Sequence, residues 1–273
     1  MGSRIALTCG ITLLSAVSLL GQQGLTKRAD GQPLVEGYYQ MQGMMGSGGL
    51  FIENSISAMN GRPAKGVVLD PPDGMLPYLP WARVRRDEVG NHVASPTPAQ
   101  VDTRNRGWPD GVPRINFYFV NPFQIAQTDG AVLFLYEAQH EFRHVPLDSR
   151  PQPDGDVKLW MGSSRGRWEG NTLIIDVTNI NDRVRLSVAG DFASSDVKVT
   201  ERWTWVDRDT IQYSATLEDP KVYARPWTAG VTLKRITEKG FELMEYAGVE
   251  GEKDAHLMVD IPATLKKSDA EKK

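Results

Sequence analysis

From residue 117 to 247, apolar and polar residues alternate in strand-length runs separated by turn residues. In 197–206, Val197, Val199, Glu201, Trp203 and Trp205 fall on one face, opposite Lys198, Thr200, Arg202 and Thr204. In 171–178, Leu173, Ile175 and Val177 oppose Thr172, Ile174 and Asp176, and in 211–218 Ile211, Tyr213, Ala215 and Leu217 oppose Gln212, Ser214, Thr216 and Glu218. The runs 124–127 and 132–137 flank Thr128-Asp129-Gly130, whose Asp-Gly supplies the positive φ of a hairpin turn. The runs 231–236 and 241–247 flank Glu238-Lys239-Gly240 in the same way. A two-residue period with one apolar face predicts antiparallel strands wetted on one side only. No helical stripe interrupts them, so the expected fold is all-β, an antiparallel barrel of about eight to ten strands that leaves no free edge.

Upstream the pattern disappears. Thirteen of the 17 prolines fall between Pro63 and Pro153, and glycine is frequent in 41–50. Proline fixes φ and removes a ladder donor, which predicts neither long central strands nor helices here. Residues 22–114 are therefore expected to form an irregular arm, packed on a barrel of residues 115–262 through Tyr78, Trp81 and Trp108, with a charged flexible tail at 263–273.

The first 21 residues read as something else. Arg4 precedes an apolar run over 5–20, followed by polar Gln22-Gln23, which is the layout of a secretory signal peptide. The run is short for a membrane span, which needs about 20 apolar residues. Its removal would take away Cys9, the only cysteine, and leave a chain with no disulfide, thiol nucleophile or cysteine-held metal. The expected mature protein is periplasmic or secreted, without a stable membrane anchor. A formal net charge of −3, from 31 Lys+Arg against 34 Asp+Glu, argues against a nucleic-acid partner. No dinucleotide fingerprint, P-loop or Gly-x-Ser-x-Gly elbow appears, so no cofactor is expected.

Candidate chemistry lies where charge breaks the apolar face. Glu201 sits between Val199 and Trp203, and Glu245 sits with Phe241, Leu243 and Ala247. A carboxylate inside a barrel is costly unless paired, and Arg225, Arg143 and Arg114 are the partners at hand. One consistent scheme is an enzyme acting on a small organic molecule as a lyase, isomerase or hydrolase. Glu201, Glu245 and Arg225 would carry acid–base chemistry, while Arg143, Arg114, Tyr136 and Tyr223 hold the substrate. The alternative is a non-catalytic binder of an apolar or aromatic compound, walled by Trp203, Trp205 and Trp227. The string His140-Glu141-Phe142-Arg143-His144 matches HExxH, yet its β-prone flanks and Pro146 place it on a strand. A zinc-protease site needs it on a helix, so no metal is expected, with a loose His140/His144 site as the minor alternative. Trp168 in SRGRWEG (164–170) should cap a barrel end, with Gly166 and Gly170 letting the backbone bend.

Six blocks in order, DPPDGMLPYLPWA (70–82), GVPR (111–114), 124–148, 160–176, EDPKVYARPW (218–227) and MEYAGVEG (244–251), resemble a large family of exported soil-bacterial proteins of unassigned function. The resemblance spans residues 60–252 and implies membership more than chemistry. The family's final block carries Cys, His and Asn where this chain has Gly248, Val249 and Glu252. If that histidine is catalytic in relatives, this chain has lost the step or performs it differently. At the level of fold, the strands and the GRWEG segment are similar to lipocalin-like (calycin) barrels.

Overall fold

In the computed structural model, residues 25–42, 51–56, 63–93, 96–97, 99–117 and 121–246 are described. The expected signal segment with Cys9, most of the glycine-rich 41–50 run, Gly248, Val249 and the charged tail lie outside them.

The alternation read along 197–206 exists in space, with Val199, Glu201, Trp203 and Trp205 all buried. The strands are β1 (Gly37–Met41), β2 (Ser55–Ile56), β3 (Pro63–Ala64), β4 (Val68–Asp70), β5 (Phe123–Gln127), β6 (Ala131–Tyr136), β7 (Phe142–Pro146), β8 (Ser163–Glu169), β9 (Thr172–Thr178), β10 (Lys198–Asp207), β11 (Thr210–Glu218) and β12 (Trp227–Arg235). Among the described residues, one helix, α1 (Pro80–Gly90), and 3₁₀ turns at Arg104–Arg106 and Arg114–Phe117 complete the set. Ten strands form one sheet in the order β7-β6-β5-β1-β12-β11-β10-β9-β8, with β4 added beside β12, while β2 and β3 pair separately. Every ladder is antiparallel. The sheet rolls into a nearly closed barrel in which its two ends, β7 and β8, come together without a ladder. Side chains close that seam. Arg143 Nε on β7 donates to Ser164 Oγ on β8 at 2.9 Å. Gly166 leaves space that a Cβ would fill, since that atom would lie 2.7 Å from Val145 Cγ1.

Two expectations about the arm are corrected. β1 lies in it and is a central strand, pairing Tyr39 with both Phe123 of β5 and Arg235 of β12. It is free of proline, and Tyr39 and Met41 point inward on the two-residue period. The arm also contains the 11-residue helix α1, where Pro80 serves as a starter because the first helical N–H needs no intrahelical partner. A third correction falls at the other end of the chain. Residues 241–245 form no strand, and Tyr246 makes only an isolated bridge to Ala138.

Turns at 128–130, 170–171 and 208–209 close one end of the barrel, where Trp168 packs on Trp205 at 5.6 Å. The longer connections 137–141, 179–197 and 219–226 gather at the opposite end. There the segment 102–117 of the arm enters as a plug. Val112, Ile115 and Phe117 are buried in the core, and the Phe117 ring lies 5.8 Å from that of Tyr213. Inside, Trp203 meets Phe134 at 4.7 Å and Tyr213 at 4.6 Å. Aromatic burial of this size dominates core energetics. Among the described residues no helix is long and apolar enough to cross a membrane.

Candidate functional site

The structure brings three of the sequence-derived residues together at the barrel centre. Glu201 on β10 is fully buried, and its Oε1 accepts from Tyr213 OH at 2.7 Å and Asn116 Nδ2 at 3.2 Å. Its Oε2 accepts from Arg143 Nη2 on β7. Tyr136 OH donates to Asn116 Oδ1 at 2.9 Å, tying the plug to β6. Burial pushes the phenols of Tyr136 and Tyr213 up, and the Glu201 charge pushes them further, so both stay protonated as donors. Arg143, Glu201 and Tyr136 thus form one network whose carboxylate is saturated by protein groups.

The other candidates lie elsewhere. Arg114, fully buried in the plug, pairs with Asp102 at 3.0 Å. Arg225 is exposed and pairs with Asp70 at 2.6 Å, which removes it as a partner for Glu201. Glu245 is exposed as well, 3.7 Å from His140 Nε2, because the segment carrying it is not a strand and has no inward face. Tyr223 OH donates to the Phe192 carbonyl at 2.7 Å. Trp203, Trp205 and Trp227 are buried core residues, and Trp205 Nε1 donates to Tyr39 OH at 3.3 Å.

The HExxH string is divided between a turn and a strand. Gln139 and His140 adopt φ of 59° and 52°, the left-handed region that non-glycine residues rarely occupy. His144 lies on the exposed face of β7. Among the described residues, no three His, Cys, Asp or Glu side chains gather in a metal-holding group. Glu141 turns inward at the long-loop end, where its Oε1 accepts from the Asp110 backbone N–H at 2.8 Å and its Oε2 has no partner among the described residues. Burial, and then the Asp110 charge, push its carboxyl up to about 8. Asp110 is fully buried and also raised by burial, with Arg104 bonded to one oxygen and Arg114 Nε 3.6 Å from the other. Perturbed carboxyls of this kind cluster at functional sites.

Outside the plug lies a pocket of about 440 Å³ between α1, residues 99–108 and the 179–197 connection. Small-molecule sites typically measure about 300–1,000 Å³. Gly190 lets the connection approach α1 closely, since a Cβ there would lie 2.5 Å from Val89 Cβ. The walls include Trp108 and Phe192, and the charged lining consists of Arg85, Arg106, Arg183 and Arg185 against Asp182 alone. Arg85 sits over the Phe192 ring at 4.3 Å and Arg106 over Trp108 at 5.6 Å. Burial lowers the pKa of Arg106 and of Arg185 against the opposing charge of Asp102, and for Arg185 the neighbouring charges of Arg106, Arg114 and Arg85 add to the lowering. Arg185 is held by carbonyls, those of Gln100 at 2.6 Å and Ala99 at 3.2 Å. Another pocket, of about 520 Å³, has Arg83 and Arg86 in its lining, but Glu53 and Asp191 already hold both.

None of these pocket residues stands out by strand periodicity, because all lie in irregular segments or on α1. The available signal was arginine density in three short runs, RVRRDE (83–88), TRNRG (103–107) and NDRVR (181–185). Compared with known proteins, the chain matches no family model, no curated protein and no solved structure.

Proposed function

We propose that the chain is an exported, lipocalin-like binder of a small organic molecule, held at the long-loop end of the barrel in the pocket outside the plug. One contrast carries this reading. The barrel centre is occupied by the chain's own aromatic rings and by a carboxylate whose oxygens are bonded within the protein, whereas the pocket is open and of ligand size. Membership in the exported family resembled by the six sequence blocks belongs to the same proposal.

The test is native mass spectrometry of the exported protein beside its Ala99→Trp variant. Ala99 is exposed on the pocket wall, so an indole there fills the space without entering the core. The expected result is an organic mass retained by the wild type and absent from a variant of unchanged melting temperature. A mass kept by the variant would put the ligand elsewhere.

One observation favours an enzyme instead, a cofactor-independent lyase, isomerase or hydrolase. Glu141 is a buried carboxyl raised to about 8 with one oxygen unbonded, beside Arg104 and Arg114. A working acid or base there predicts that Glu141→Gln lowers turnover by about 10²–10⁴ with binding kept. Absence of turnover in the wild type removes this second reading.

A further inference from the structure

We propose that the pocket selects a small planar aromatic carboxylate, bound through its anionic group by the arginines, and this rests on the pocket being the ligand site. In a chain whose formal net charge is −3, four arginines face a single aspartate around one cavity. Among the described residues Arg85 and Arg183 have no carboxylate partner, and the guanidinium of Arg185 is bonded to neutral carbonyls. Behind them the Asp102 carboxylate pairs with Arg114, and its charge offsets Arg106 and Arg185 only in part. Clustered cations repel one another, and an anion placed among them relieves that repulsion while a neutral molecule does not.

A second observation is independent of charge. Thr103 lines the pocket and is more than nine-tenths buried, yet its Oγ1 has no hydrogen-bond partner among the described residues. A hydroxyl removed from water without a partner costs free energy that a ligand oxygen accepting its O–H would recover. The shape of the acceptor follows from the donors, because a guanidinium fork matches the two oxygens of a carboxylate in one plane. The aromatic part follows from the walls. Trp108 and Phe192, each with an arginine stacked on it, form flat surfaces on which a ring packs while its carboxylate reaches the N–H edges.

The experiment is calorimetric titration of the purified chain with 2-naphthoate, 2-naphthamide and inorganic phosphate. Naphthoate is expected to bind at least about tenfold more tightly than the other two, and to weaken as salt rises from about 0.05 to about 0.5 M. Arg185→Gln and Thr103→Val should each weaken naphthoate. Because both residues are largely enclosed, the exposed Arg183→Gln variant is measured as well and should weaken it about threefold or more. Naphthamide binding as tightly as naphthoate, with both lost in Ala99→Trp, overturns the anion preference and leaves the binding pocket standing. Phosphate binding as tightly as naphthoate overturns the aromatic half of the proposal. Naphthoate binding unaffected by Ala99→Trp and by all three polar variants overturns both this proposal and the pocket itself.

Discussion

At the barrel centre the Glu201 carboxylate accepts three hydrogen bonds, while at the long-loop end Glu141 accepts one and keeps its second oxygen bare. The two carboxyls are almost equally removed from water, so burial alone does not separate them. Compensation does. Glu201 faces a guanidinium, a phenol and an amide that strands and plug hold in fixed positions, and a carboxylate bonded through both oxygens in this way favours one arrangement of the core. Glu141 accepts from one backbone N–H, and burial followed by the Asp110 charge raises its pKa against the lesser pull of Arg104 and Arg114. A site that must respond to a ligand or a proton is built from the second kind of environment.

The largest expected effect breaks the saturated side. Arg143→Met leaves Glu201 charged and unpaired, and urea unfolding should report a loss of about 3–5 kcal/mol. Adding Glu201→Gln to that variant removes the stranded charge and should restore much of the loss. If the double variant is no better than the single, the guanidinium stabilises the fold by packing and the contrast with Glu141 fails.

Next comes the unsaturated side, through pH. The folded-state pKa of Glu141 lies at about 8, above its ordinary value of 4.5, so the native state binds the extra proton between those values. Stability is then fully present below the lower value and is lost as pH rises through the upper one. At 1.36 kcal/mol per unit the full loss is on the order of 5 kcal/mol, of which about 3 kcal/mol falls between about pH 5.5 and about pH 8.5. Melting measured at about pH 5.5 and about pH 8.5 should show it in the wild type. Glu141→Gln, which mimics the protonated form, should lose most of that slope and be the more stable of the two at the higher pH. Equal slopes in both proteins would refute the assignment.

Smaller effects sharpen the same division. Ser164→Ala removes the seam acceptor of Arg143 Nε and should cost about 1–2 kcal/mol. Arg225→Ala breaks a pair that is fully in water and should leave the melting temperature unchanged. A clear drop for Arg225→Ala would mean that surface charge contributes here as the buried network does.

Periodicity made the barrel legible because an antiparallel sheet with one dry face records its inside on every second residue. Glu201 was found in that record as a charge among Val199, Trp203 and Trp205, and it points where they point. The same rule misplaced Glu245, since four residues of apparent alternation in an unpaired segment have no ladder to enforce a face. β1 went unread for the opposite reason. Five residues running straight into a glycine-rich stretch carry too short a pattern, and only pairing with β5 and β12 makes them a strand. The arginine pocket was illegible because its parts come from α1, the plug and a loop, and no periodic rule relates positions as far apart as Arg85 and Arg185.

The position of β1 also has a consequence for the order in which the barrel can assemble. β5-β6-β7 and β8-β9-β10-β11-β12 are each a meander whose neighbours in sequence are neighbours in the sheet, and β1 is the strand that joins them. Among the described residues it is the first strand and must find the last, with Tyr39 and Arg235 196 residues apart and in contact. Local hairpins can form early, but this closure carries the entropy of nearly the whole chain and comes late. Until β12 has been synthesised, β1 has no such partner, and the two meanders remain separate sheets with open edges.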